Sequence, residues 1–370
     1  MGRRMSTPFY EAEHEEFRDS VAKFFARTLS GAVAEQRQSG FVASADVTLA
    51  AEQGLLGINV PESCGGSGVA DLRFQMVIVE EAMRIGALGY ALTMALQSVV
   101  VVPQLIADER LAGRTELLTG IAAGSRIVAV AGAHQPIPAV VEGDSVILTG
   151  VAKSAVAGVI ASHVLVGCVT ETGDHLVVLT DVGDAGLRVA RARKLLGGND
   201  AGVTNLVFDQ LTVPPGRVLR SAAALEAVAS DVELLLAAVA VSGAGAALAW
   251  TTEYAATRQV FGQPLSTFEN TRHVVSGLTA DLGMAQGSLR NALTVRGQHA
   301  PAAPSNAELA VTATRLYSRA ADDGLQLHGG YGYMHEYPIA QAYADAEFLR
   351  LLVDRFDIAL RCERAVTVSL

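Results

Sequence analysis

The sequence predicts an α+β protein in which a helical domain, a middle β domain and a second helical domain follow one another. Three observations carry this reading. Up to about Gly124 apolar residues recur at three- and four-residue spacing, as in Phe17, Val21, Phe24 and Phe25, the period of a helix with one buried face. From about Ser125 to Ser221 the texture changes to short β-branched runs between turn residues, which reads as antiparallel strands. After Pro214-Pro215 the helical texture returns and persists to Leu370. The expected domains are therefore 1–124, 125–221 and 222–370.

Within the first domain a turn-rich break runs from Val60 to Gly68, followed by a helix from Phe74 to Arg84. From Ile85 to Ala107 there is no charge at all, a length that can span a bilayer. Gln97, Ser98, Pro103 and Gln104 interrupt it and Asp108-Glu109-Arg110 closes it at once, so we expect a buried helix and no membrane partner. In the middle domain the strand runs are Ile127–Val130, Val146–Leu148, His163–Val166, His175–Leu179 and Thr204–Phe208. Glu142-Gly143-Asp144, Thr172-Gly173-Asp174 and Gly197-Gly198-Asn199-Asp200 separate them as turns and loops. The last domain has one prominent break, Gly329-Gly330-Tyr331-Gly332-Tyr333.

Composition narrows the function. Of 370 residues, 50% are hydrophobic and 18% charged, which excludes disorder. Asp and Glu number 38 against 28 Lys and Arg, so no broad cationic face is available for nucleic acid. Cys64, Cys168 and Cys362 are far apart and form no paired spacing, which fits a reducing cytosol. The polar start, with Glu11, Glu13, Glu15 and Glu16, does not resemble a signal peptide, and we expect a cytoplasmic protein.

No G-x-G-x-x-G after a strand, P-loop or H-E-x-x-H is present, and the histidines form no cluster, so no metal site is expected. Two segments suit a phosphate or nucleotide. One is Gln326-Leu327-His328-Gly329-Gly330, the other Arg258-Gln259-Val260-Phe261-Gly262-Gln263-Pro264-Leu265. Glycine lets a backbone approach closely, and arginine pairs bidentately with a diphosphate. On spacing alone, a helix cap at each glycine and a surface arginine explain them better.

Taken together, these segments resemble the acyl-CoA dehydrogenase family across nearly the whole chain. Val60 to Gly68 is similar to its PE-x-x-GG-x-G turn, Val213-Pro214 with Val218-Leu219 to the end of its β domain, and Arg258 to Glu269 to its R-x-x-F-G segment. Gln326 to Pro338 resembles its most specific signature. The resemblance implies a barrel-like middle domain, a C-terminal four-helix bundle and oxidation of an acyl-CoA to its 2,3-enoyl thioester with FAD. It also implies that each FAD is shared between chains, with Arg258, Phe261, Gln326, Leu327, His328, Gly329 and Gly330 on its ADP side.

Departures from the family pattern fall on the flavin side. The T-E-P-x-x-G-S-D stretch is replaced by Ala131 to Ala139, and the flavin-touching segment by Lys153-Ser154-Ala155-Val156-Ala157. The usual catalytic glutamate of a G-G-T-x-E segment is replaced by Asp357 in Val353-Asp354-Arg355-Phe356-Asp357, one methylene shorter. A minority of the family takes its base from an earlier helix, where Glu233 stands, ahead of Gly243. An ordinary helix N-terminal acid beside Asp231 is the alternative for Glu233.

The one-sided loss resembles the degenerate subunit of actinobacterial heteromeric dehydrogenases for steroid side-chain CoA thioesters. It implies an α2β2 partnership with a homologous chain that carries the flavin wall and the base. A self-sufficient homo-oligomer using Glu233, and a non-catalytic oligomerisation scaffold, are the alternatives.

Overall fold

The computed structural model describes residues 9–191, 194–219, 221, 223–297, 305–355 and 358. The helices α1 (Ala12–Phe24), α2 (Val33–Ser39), α3 (Ser44–Glu52), α4 (Leu72–Arg84), α5 (Leu88–Ala95), α6 (Val102–Ala107) and α7 (Arg114–Ala122) come first. Between α5 and α6 the chain continues as a π-helical turn, Leu96–Val101, and Pro103 lies in the first turn of α6. Proline withholds one backbone donor, and the widened turn accommodates that loss. The uncharged stretch is thus one interrupted helical rod, packed inside the fold along most of its length.

The middle layer holds β1 (Val128–Ala131), β2 (Ile137–Glu142), β3 (Ser145–Ala155), β4 (His163–Thr170), β5 (His175–Asp181), β6 (Leu187–Val189) and β7 (Thr204–Val213). Gly143 and Gly173 adopt positive φ at the β2–β3 and β4–β5 turns, and both pairs are antiparallel as their turn residues predict. The sheet is nonetheless mixed, because β1 and β2 both run parallel to β4. They lie in line along it: Val128–Ala131 pair with His163–Val166, and Ile137–Ala139 with Cys168–Thr170. Alternating hydrophobicity marks a strand but not its direction, and the connection after β3 is long enough to carry the chain across. β2 and β6 were not expected from the sequence.

Among the described residues, four helices form the C-terminal part: α8 (Ala224–Thr257), α9 (Glu269–Gly297), α10 (Asn306–His328) and α11 (Pro338–Arg355). A short hairpin of β8 (Gln259–Val260) and β9 (Gln263–Pro264) precedes α9. α8 has 34 residues and is buried around most of its circumference, with α4, α5, α9, α10 and α11 packed on it. This explains its near-continuous Ala, Val and Leu. Gly243 is required there, since a Cβ would lie 2.6 Å from the ring of buried Tyr317 on α10. α10 starts with a reciprocal cap: Ser305 N–H donates to Glu308 Oε2 at 2.8 Å, and Ser305 Oγ accepts from Glu308 N–H. Leu88–Ala107 and Ala224–Thr257 are each long and apolar enough to cross a membrane, and most of each is buried within the fold.

Candidate functional site

Two separate places on the chain carry the residues singled out above. The first is a cleft of about 720 Å³, counted out to its open mouth, between α5, the turn after β1, the end of β3, α8 and α11. Leu92, Val130, Val156, Val232, Leu236 and Leu352 give it an apolar lining, and the polar groups come from His134, Gln135, Lys153 and Ser154. Both stretches that depart from the family pattern, 131–139 and 153–157, therefore contribute to this cleft. Ser154 and Ala157 have φ of +60° and +56°, a region that costs L-residues free energy.

The turn between β1 and β2 brings in a residue that sequence reasoning passed over. β1 and β2 would be one continuous strand along β4, but residues 132–136 bulge outward opposite Gly167. Glycine is needed on both sides: a Cβ on Gly132 would lie 2.2 Å from Gly167 O, and one on Gly167 would lie 2.5 Å from Gly132 O. Gly132 also sits at φ +69°. This close contact fixes the bulge, and His134 projects from it onto α8. Its Nε2 lies 3.1 Å from Oε1 of Glu233, with side-chain exposures of 1% and 6%. His134 lines the cleft, whereas the residues of α8 that line it are Val232, Leu235 and Leu236; Glu233 stands behind the imidazole. A histidine 99 positions from its partner leaves no spacing signal; its one visible mark was its place in the altered stretch.

The second place gathers the residues expected on an ADP side. Arg258, Leu327, His328, Gly329 and Gly330 line a shallow surface cleft with Tyr254 and Tyr331. Arg258 ends α8 and its guanidinium lies over the Tyr331 ring, 5.1 Å from the centroid. Gly329 ends α10 at φ +59°, ψ −134°, which favours glycine, and a Cβ on either Gly329 or Gly330 would meet nothing within 4 Å. The backbone there is open to an approaching group. Gln326 is exposed on the last turn of α10. Phe261 is 94% exposed and at φ +51° in the β8–β9 turn, two unfavourable features for an aromatic side chain within one chain.

His328 differs from the others. Its ring is buried, stacks on Tyr254 at 4.1 Å and shares a 2.7 Å bond with Gly324 O through Nδ1. Burial holds its pKa below the usual imidazole range, against the backbone bond. His328 thus serves the packing under the glycine turn. Asp357 lies outside the described residues. Among the described residues no three His, Cys, Asp or Glu side chains converge as a metal site, and Cys64 and Cys168 are buried free thiols.

Comparison with known proteins supplies the family. The acyl-CoA dehydrogenase N-terminal domain matches residues 11–125 and the acyl-CoA dehydrogenase C-terminal domain matches residues 232–352. The long-chain specific acyl-CoA dehydrogenase of Sus scrofa is 28% identical over 91% of this chain and 82% of its own length. A crystal structure of a putative acyl-CoA dehydrogenase from Mycobacterium smegmatis superposes with a TM-score of 0.87 at 25% identity, covering 98% of this chain and 99% of that one. A glutaryl-CoA dehydrogenase from Mycobacterium smegmatis, in complex with FADH2, superposes with a TM-score of 0.82 at 18% identity, over 92% and 90% of the two chains. With both terminal domains matched and the same fold throughout, this chain belongs to the acyl-CoA dehydrogenase family of oxidoreductases.

Proposed function

We propose that this chain is a subunit of an FAD-dependent acyl-CoA dehydrogenase, and that it lends the ADP-side half of a shared FAD site to a homologous chain in an α2β2 assembly. The observation that carries the reading is the exposure of the ADP-side set. Arg258, Phe261, Gln326, Gly329 and Gly330 all face outward, open to a group brought by another chain. The residues fit a dinucleotide: a planar cation for phosphate, a glycine turn with open backbone, and an exposed aromatic for apolar contact. FAD, when bound, would accept the hydride leaving C3 of the acyl chain. Arg258 would bind and orient its diphosphate, and Gly329 and Gly330 would let the backbone approach.

The flavin-facing cleft supports the same division of labour. At 131–133 it offers Ala131, Gly132 and Ala133 where the family uses hydroxyls and an acid, and Ser154 is the hydroxyl that remains among its lining residues. The test is to purify the chain alone and together with each homologous dehydrogenase chain. FAD and turnover are expected only in the mixed complex, and Arg258→Ala is expected to lower FAD retention there. Stoichiometric FAD and full dehydrogenase turnover from this chain alone would sink the reading.

One observation favours a second reading, in which this chain's own cleft also handles an acyl thioester. Its floor keeps a buried ionisable pair, His134 with Glu233, which a pure scaffold has no use for. Glu233→Gln with unchanged turnover in every assembly that contains the chain would dismiss it.

A further inference from the structure

The geometry points to a second ligand site, further along α8 than the flavin-facing cleft, that takes a monocarboxylate with an unbranched alkyl chain. It stands apart from the ADP-side proposal and needs neither FAD nor another chain. A groove of about 1180 Å³, counted out to its open mouth, lies between α1, α4, α8 and α9 and shares no lining residue with the first cleft. Its size suits a small molecule. Small residues keep it open: Gly245, Ala246 and Ala249 of α8 face it, and a Cβ on Gly245 would meet only Leu282 Cδ2, at 3.8 Å. The α9 wall presents Gln286, Leu289, Arg290 and Leu293, the three- and four-residue spacing of one helix face.

The polar groups decide the charge of the ligand. Each glutamate in the lining already has an arginine. Arg18 Nη1 lies 2.6 Å from Glu80 and 3.4 Å from Glu81, and its Nε donates to Glu15 at 3.2 Å. Arg84 holds the other oxygen of Glu81 at 2.7 Å, and Tyr10 OH donates to Glu80 at 2.8 Å. Burial, then the charge of Glu80, push the Tyr10 phenol well above its usual range, so it stays a donor. Arg290 differs. Among the described residues it has no carboxylate partner, and its guanidinium lies over the Phe9 ring, 5.6 Å from the centroid. Gln286, one turn earlier on α9, has no side-chain hydrogen bond among the described residues either. A carboxylate suits this pair, since guanidinium takes it bidentately and the amide adds a donor. Leu289, Leu293, Val241 and Met76 offer apolar surface to the chain behind it. A cationic head would have to compete with Arg18 and Arg84 for acids they already hold.

The experiment uses Trp250, the sole tryptophan, which follows Ala249 on α8. Bromine quenches an indole only near contact, and Leu236 of the first cleft lies roughly 21 Å back along the helix axis at 1.5 Å per residue. The full-length chain is titrated with 11-bromoundecanoate and, in parallel, 11-bromoundecanol. The carboxylate should quench Trp250 saturably, with a midpoint about tenfold lower than that of the alcohol. Arg290→Gln should bring the two midpoints together. Gly245→Leu fills the groove and should abolish quenching while raising the melting temperature, because a good helix former replaces glycine. Absence of saturable quenching in the parent chain, equal midpoints for acid and alcohol there, an undiminished preference in Arg290→Gln, or full quenching in folded Gly245→Leu would each overturn the assignment. Arg290→Gln tests the head group even where Gly245→Leu fails to fold. FAD retention in the mixed complex reads the ADP-side proposal separately, so either idea can fail alone.

Discussion

Arg37 Nη2 lies 3.5 Å from Oδ2 of Asp345, which joins α2 of the N-terminal part to α11 of the C-terminal part. The same guanidinium donates to Gly86 O at 2.6 Å. A second buried carboxylate, Asp200, enters from the middle part and accepts from Gly89 N–H at 2.8 Å. Asp345 itself accepts from Gly198 N–H and from Gln341, each at 2.8 Å. One arginine thus faces two buried acids at the place where all three parts of the chain meet.

This arrangement makes stability fall as pH rises towards neutrality. Burial first, and the negative charge of Asp200 second, push Asp345 up to about 7, with Arg37 opposing. The folded chain therefore holds a proton that the unfolded chain has released at the same pH. Its stabilisation is complete below the ordinary carboxylate value near 3.8. Between there and about pH 7 it is lost, at up to about 1.4 kcal/mol per pH unit, and it levels off above. Urea melts from pH 5 to 8 should show this slope in the parent chain. Asp345→Asn, which mimics the protonated acid, should flatten it; an unaltered slope in that variant would contradict the account.

The loop that brings Asp200 to this junction tolerates no side chain at Gly197. A Cβ there would lie 1.9 Å from Ala344 O in α11, and the neighbouring Gly198, at φ +64°, would clash with the Phe348 ring. The obstacle at Gly197 is backbone, so no rotamer change relieves it. Gly197→Ala should cost about 3 kcal/mol or more by lifting the loop off α11. Protease sensitivity near residue 197 should rise with the fall in the urea midpoint.

These two joints show what the sequence made legible and what it hid. Gly197-Gly198-Asn199-Asp200 reads as punctuation between strands, because glycine frequency marks a turn but does not say what packs against it. The uncharged run to Ala107 was readable as a buried helix, since its interruptions and its flanking charges are local. The glycine turn that ends α10 was readable for the same reason: Gln326 to Gly330 are contiguous on one helix end. His134 and Glu233 meet only through the bulge in the sheet, and no periodicity joins positions 134 and 233. β2 was missed because Pro138 and the altered stretch disguise a strand that pairs with β4 only at its start.

Arg296 should be worth more than a surface arginine. It clamps Asp231 bidentately, Nε to Oδ1 at 2.6 Å and Nη2 to Oδ2 at 2.8 Å, and so ties α9 to α8 two residues before Glu233. Burial pushes the Asp231 carboxyl up and Arg296 pulls it back. Arg296→Ala leaves a buried carboxylate unpaired by that cation, at a cost of about 3 kcal/mol near neutral pH. As pH falls the exposed deficit should shrink, because the carboxyl takes up a proton. Parallel melts of the parent chain and Arg296→Ala at pH 5 and 7.5 measure this; an equal loss at both pH values would argue against it.

The bulge that holds His134 should be the most demanding glycine contact near the cleft. Gly132→Ala faces two penalties. The left-handed φ of +69° costs an L-residue about 1–2 kcal/mol, and the new Cβ would stand 2.2 Å from the Gly167 carbonyl oxygen. That oxygen belongs to β4, which is paired along its length with β5, so it cannot retreat without opening the sheet. The expected loss is about 3 kcal/mol or more. Gly143→Ala is the control, because φ is +59° there too but its Cβ would meet nothing within 4 Å, so only the conformational penalty applies. Beyond stability, displacing the turn should separate His134 from Glu233, and amide exchange around the α8 segment bearing Glu233 should speed up in Gly132→Ala but not in Gly143→Ala. Equal losses in the two variants would mean that the Gly132–Gly167 contact does not set the turn, and that the imidazole is held over α8 by something else.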